Sequence, residues 1–245
     1  MIFGLGGAKA GYSLPADAHW SDVKLLVQPH AGDASDATAL VDRGPAGRTA
    51  TISTGSVTIT EDYGRSPIWG AYADPSSAKV EWSDDATLSP GTGPFTIEFV
   101  GNRYAAGSFS GHYAYTANHA GARHFQGYFE DGAAWWWYTQ PGGGFYAGSL
   151  DPGVGYSTAG GPMIECVTVQ RDASNNLSMW WNGALIGTTS GHTVNYTTNW
   201  SKFQLFTDGS SFFSGNMTAM RLTHAARYAY NTSHNAMLHG FPESG

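Results

Sequence analysis

Cysteine occurs once in the 245 residues, at Cys166, so no disulfide can form within the chain. Flanked by Glu165 and Val167 in a candidate strand, that thiol reads as a small core side chain. Charge is scarce too: Lys, Arg, Asp and Glu make up 13% of the chain, with 12 basic residues against 19 acidic ones for a net charge of −7. No run of Lys or Arg supplies the basic stripe that a phosphate backbone requires, which argues against nucleic acid as a partner. No apolar run approaches the roughly 20 residues of a membrane-spanning helix. Residues Met1 to Gly11 lack the basic start and long apolar stretch of a secretory signal. Membrane insertion and export by that signal are therefore not expected. Helical periodicity is also missing, and 14% aromatic residues with so little charge exclude a disordered chain.

What the chain does have is 33 glycines and short alternating segments between turn signals. Strands are expected at 22–28, 38–42, 48–53, 56–60, 68–72, 78–82, 94–101, 111–117, 123–129, 134–139, 163–171, 177–181, 184–189, 203–206 and 214–223. Many short strands without intervening helices imply two packed antiparallel sheets, and one sandwich domain suits this length. The clearest unit is a hairpin, Leu177 to Trp181 returning as Ala184 to Thr188 across Asn182-Gly183, a pair that accepts the positive φ angles of a type I′ turn. That register puts Leu177, Met179, Trp181, Ala184 and Ile186 on one face and Trp180 and Leu185 on the other. Residues 1–18 read as a short arm with three apolar anchors, Ile2, Phe3 and Leu5, before a domain spanning 19–245. Residues 140–162 form the longest stretch without strand signal, a glycine-rich segment carrying Tyr146 and Tyr156. A long loop of this kind is a candidate contact loop.

Several segments, in order, resemble the concanavalin A-like (laminin G-like) jelly-roll superfamily as it occurs in bacteriophage virion proteins. They are His19 to Leu26, Ala39 to Gly44, Thr49 to Ile52, Pro94 to Phe99, Val169 to Asp172, Leu177 to Gly187, Gly215 to Thr223, Ala226 to Tyr228, and Phe241-Pro242. The likeness covers about residues 19–242. It implies an all-β, two-sheet antiparallel jelly-roll sandwich with a short N-terminal arm. It also implies a virion surface protein (a decoration, spike or fibre component) that adheres to host surface glycans. Such a protein would be soluble in the host cytoplasm before assembly and would then sit on the particle surface. Its partners would be other virion proteins, held through Ile2, Phe3 and Leu5, host polysaccharide, and further copies of itself. The alternatives are a purely structural decoration or connector protein without ligand and, more weakly, a glycan-cleaving enzyme.

Chemistry is hard to find. Glucanases of this superfamily place carboxylates at alternate positions of one strand face. Here the acidic pairs Glu61-Asp62, Asp84-Asp85 and Glu130-Asp131 are adjacent, so an extended chain sends their members to opposite faces. No catalytic residues are expected. The superfamily often holds Ca2+ in Asp- and Asn-rich loops, and Asp33, Asp36, Asp42 and Asp208 are the loop carboxylates here. However, Gln28 to His30 replace the family's acidic residue after the first strand, and Asn182 replaces the hairpin's Asp. No cofactor is expected. His112, His119 and His124 fit no zinc spacing. Carbohydrate contact is the remaining candidate, because sugars stack their C–H faces on aromatic rings beside amides and hydroxyls. In the run Trp135 to Tyr138, one alternate pair belongs to the core and the other faces outward. The candidate contacts are Trp136, Tyr138, Trp180 (outward in the hairpin), Tyr146 and Tyr156.

Overall fold

The structure of the protein is a computed structural model. It describes residues 16–29, 40–60, 71–73, 79–83, 85–103, 112–118, 123–130, 134–139, 146–150, 165–196, 200–205, 215–235 and 241–243; at 53–54, 59–60, 71–73, 83, 102–150, 165, 200–202 and 215–216 the backbone alone is described. Fifteen strands run through these residues: β1 Val23–Val27, β2 Thr51–Thr54, β3 Thr58–Thr60, β4 Ala71–Ala73, β5 Lys79–Ser83, β6 Phe95–Arg103, β7 His112–Asn118, β8 Arg123–Glu130, β9 Ala134–Thr139, β10 Tyr146–Leu150, β11 Glu165–Arg171, β12 Leu177–Trp181, β13 Ala184–Thr189, β14 Trp200–Leu205 and β15 Gly215–Thr223. The only helical elements among the described residues are two 3-10 turns, Trp20–Asp22 and Ala86–Leu88.

The larger sheet has the order β13-β12-β11-β6-β15-β4-β3, with β1 also paired to β15; the smaller has the order β10-β9-β8-β7-β14-β5-β2. Alternation along each strand sends one set of side chains between the sheets. Leu25, Val27, Phe95, Ile97, Phe99, Val167, Val169, Leu177, Met179, Met220 and Leu222 from the larger sheet meet Val80, Trp82, Phe203 and Leu205 from the smaller. Each such burial is worth about 1.5–3 kcal/mol, so this layer fixes the face each strand presents. The expected two-sheet antiparallel sandwich is therefore the fold.

The hairpin turn closes as the sequence implies, but a bulge at Ile186 shifts the ladder beyond it, so that Met179 pairs with Gly187. Asn182 and Gly183 take φ of 50° and 79°, and the Asn182 side-chain Oδ1 accepts the Cys166 amide at 2.8 Å. Leu177 and Met179 lie in the core with Trp181 and Ile186 packed against it, while Ala184 is exposed. Cys166 is buried, as expected of a small core side chain.

Two expected elements differ. The 140–162 stretch is not wholly loop, because β10 lies within it and pairs with β9 from Tyr146↔Thr139 to Leu150↔Trp135. Its small residues Ala147, Gly148 and Ser149 give no apolar alternation, and the neighbouring strand supplies the ladder. The expected strand 38–42 reduces, among the described residues, to one bridge, Val41↔Thr49. There the Asp42 carboxylate replaces strand pairing by accepting the amides of Leu26 at 2.9 Å and Gly44 at 2.8 Å. Arg48 also pairs with Asp42 at 3.2 Å. Asp42 is thus held by donors, not free to ligate a cation. Asp33, Asp36 and Asp208 lie outside the described residues.

Candidate functional site

The sandwich has two outward faces, and they differ. On the smaller sheet, partners directly opposite in a ladder share a face. The core residue Phe203 pairs with Trp82 and Thr116, Thr116 with Phe125, Phe125 with Thr139, and Thr139 with Tyr146. These positions, and with them Trp135 and Trp137 two and four residues from Thr139, therefore lie on the core side. The next row runs through Glu81, Gln204, Tyr115, Gln126, Tyr138 and Ala147, and beyond it Tyr128, Trp136 and Ser149 are in register. Both rows belong to the outward side. The register thus separates the aromatic run: Trp136 and Tyr138 hold outward positions and Trp135 and Trp137 core-side ones. Tyr146 falls in a core-side row and opens β10, where a loop was expected. Tyr156, like Ile2, Phe3 and Leu5, lies outside the described residues. Gln204, inside this row, is itself covered: it is 2% exposed and donates to the Glu81 carboxylate, which also pairs with Lys79 at 3.2 Å.

The outward face of the larger sheet is covered. Trp180 points away from the sandwich core, as the hairpin register implies, yet it is 0% exposed. That overturns its reading as a solvent-facing sugar contact. The cause is a strap, residues 224–235, that crosses the sheet after β15. The Trp180 indole donates to the Thr232 carbonyl at 2.7 Å, and Tyr228 and His234 stack on each other at 3.6 Å beside it. Gln170 holds the strap's main chain, accepting the amides of Arg227 at 2.7 Å and Tyr228 at 2.9 Å and donating to the Tyr228 carbonyl at 2.8 Å. Thr96 donates to the Ala225 carbonyl at 2.7 Å.

Two more segments complete the cover. Gln28 uses its side-chain amide on both main-chain groups of Phe241, each at 3.0 Å. Phe241 in turn packs under Arg221, 4.1 Å from the guanidinium carbon to the ring centre. From the N-terminal side, Asp17 enters a buried ionic cluster. Arg221 binds Asp17 and Glu98, each at 2.7 Å, and Arg227 reaches Asp17 at 2.6 Å and Glu98 at 3.6 Å. Tyr228 donates its hydroxyl to Glu98. The side chains of Asp17, Glu98 and Arg221 are wholly buried, so two carboxylates and two guanidiniums balance away from water.

Burial alone would raise the Asp17 carboxyl, but the Arg227 hydrogen bond, the His19 amide and the charges of Arg221 and Arg227 outweigh it and hold it below the usual range. Burial, then the charge and hydrogen bond of Glu98, push the Tyr228 phenol upward. Glu98, Arg221, Arg227 and Tyr228 fall within the segments that carry the resemblance, and the sequence alone assigns them no role. Balanced charges at alternate positions of central strands, Glu98 on β6 and Arg221 on β15, were the signal present.

At one end of the sandwich Arg171 is buried and donates to the carbonyls of Gly93 at 3.0 Å, Val194 at 2.5 Å and Gly91 at 2.9 Å. Its guanidinium sits over the rings of Phe95 and Tyr196 at 5.2 Å and 5.1 Å. His192 meets the Tyr196 hydroxyl at 2.7 Å; burial, then the nearby Arg171 charge, pulls its pKa down to about 4. These groups tie loops together. Among the described residues no three of His, Cys, Asp and Glu gather where they could hold a metal ion.

No protein-family model matches the chain, and no curated protein does. Solved structures do resemble it. The binding domain of Paraclostridial Mosquitocidal Protein 1 superposes with a TM-score of 0.63 at 10% identity, over 85% of this chain and 50% of that one. The binding domain of botulinum neurotoxin DC in complex with SialylT gives 0.64 at 11% identity, over 86% and 50%. The same binding domain with rat synaptotagmin II gives 0.60 at 11%, over 86% and 50%. This chain spans about half the length of each. At such identities the likeness shows the shared β-sandwich fold.

Proposed function

We propose that the protein is a non-enzymatic, lectin-like binding module that adheres to surface glycans through the outward face of the smaller sheet, where β8, β9 and β10 lie side by side. The observation that carries this reading is the register, which interleaves aromatic positions Tyr128, Trp136 and Tyr138 with amide and hydroxyl positions Gln126 and Ser149. Aromatic platforms bind the apolar faces of sugar rings, and neighbouring amides and hydroxyls fix their orientation. A binding domain of the same fold held in complex with SialylT supports the reading. The likeness to bacteriophage virion proteins extends it: the sandwich decorates a particle, the N-terminal residues 1–18 reach a neighbouring virion protein through Ile2, Phe3 and Leu5, and the glycan belongs to the host surface.

The test is a glycan array with the full chain. Binding by the wild type that disappears in Trp136→Ala and in Tyr138→Ala, both still folded, supports the proposal. Binding that survives both substitutions removes this face from it. A chain that binds no glycan yet still attaches to particles is a structural decoration protein.

A further inference from the structure

The cluster on the outward face of the larger sheet joins three parts of the chain that are far apart in sequence. Asp17 precedes the first turn, Glu98 and Arg221 stand on the two central strands, and Arg227 and Tyr228 belong to the strap. The strap makes no ladder with any strand. It is held by the Gln170 and Thr96 side chains, by the Trp180 indole, and at its far end by two hydrogen bonds at the hairpin. There the His234 amide donates to the Gly183 carbonyl at 2.9 Å and the Leu185 amide to the Ser233 hydroxyl at 3.3 Å. Its root is tied to the N-terminal segment a second time, by the His224 amide on the Asp22 carbonyl at 2.9 Å.

The N-terminal segment is no better anchored. Trp20 packs at the edge of a small cluster with Leu26, Cys166 and Phe241. The Asp17 carboxylate spans the gap, one oxygen on Arg221 and the other on Arg227. If Asp17 leaves, two guanidiniums share the single carboxylate of Glu98. If Arg227 leaves, two carboxylates share Arg221. Either half-cluster is an uncompensated buried charge, which proteins tolerate poorly.

We propose that the Asp17–Arg227 pair makes the N-terminal segment and the strap close as one unit, a cover over Trp180 and the β12–β13 turn that can lift while the sandwich stands. The cover rests on side-chain hydrogen bonds, on the packing of Tyr228 and His234 against Trp180 and on the ion pairs Asp17–Arg221 and Arg227–Glu98, whereas the sheets beneath rest on the main core, so its opening free energy lies below that of global unfolding. Coupling of this kind is reciprocal: what loosens one partner loosens the other by the same factor. A pull on residues 1–15 would thereby uncover a second surface, the Trp180 ring with the Gly183 carbonyl and the Leu185 amide. This inference is independent of the glycan reading.

Hydrogen exchange of the full chain tests it, with Asp17→Asn and Arg227→Lys each compared to the wild type. The reporter amides are Trp20 and Asp22 on one segment and Arg227, Tyr228 and His234 on the other. Either substitution is expected to speed exchange in both segments by roughly tenfold or more, leaving the amides of β6 and β11 protected. Acceleration confined to the segment that carries the substitution overturns the coupling. Equal acceleration in β6 and β11 overturns the independent cover.

Discussion

The two outward faces of this sandwich are built from the same alternation and carry different chemistry. On the larger sheet, Glu98, Gln170, Trp180 and Arg221 point away from the core and are closed over by segments from both ends of the described chain. On the smaller sheet the corresponding row is covered at Gln204 and continues through aromatic and amide positions toward β10. The difference shows that pointing away from a core does not make a residue accessible. What decides it is whether another segment carries partners for the polar groups on that face. The larger sheet has such partners in Asp17, Arg227 and the strap's main chain.

The comparison can be broken most forcefully at Arg221. Arg221→Met leaves Asp17 and Glu98 with Arg227 alone and is expected to cost about 3–5 kcal/mol, read as a lowered urea midpoint; a loss under about 1 kcal/mol would mean the cluster holds nothing. Acid comes next. Burial, then the charge of Lys24, brings His224 to about 4, and burial with Arg171 does the same for His192. Unfolded, both take protons near 6.5, so between that pH and about 4 the unfolded chain binds more protons than the folded one. Stability therefore falls as pH drops through that window, by on the order of 3 kcal/mol for the more deeply buried His192. Below 3.8 the depressed carboxyls of Asp17 and Asp85 extend the loss. A flat stability profile from pH 7 to pH 4 contradicts this. Smaller still, Trp180→Phe removes the indole bond to Thr232 and is expected to cost about 1–2 kcal/mol, with no effect on ligand binding. Smallest in stability is Tyr138→Ala, expected within about 0.5 kcal/mol of wild type although ligand binding is lost.

Much of the fold is legible because it is local. Asn182-Gly183 dictates its turn, and the alternation from Phe95 to Phe99 or Val167 to Arg171 dictates a strand and its faces. The cover is not legible in this way. The Asp17–Arg221 contact joins residues 204 positions apart, and polar alternation at Thr96, Glu98, Thr168 and Gln170 resembles a solvated face until something lies on it. For the same reason Trp180 was assigned the right face and the wrong environment. β10 escaped notice because Gly148 and Ser149 carry no pattern of their own. The division of Trp135 to Tyr138 into two alternating pairs could be read from the sequence. Which pair faces the core could not, because that depends on a register chained through three ladders to Phe203.

The most direct test is ligand binding measured on three folded proteins side by side: wild type, Trp136→Ala and Trp180→Phe. Binding lost in Trp136→Ala and kept in Trp180→Phe is the predicted result. Binding kept in Trp136→Ala and lost in Trp180→Phe would contradict it and move the site to the opposite face.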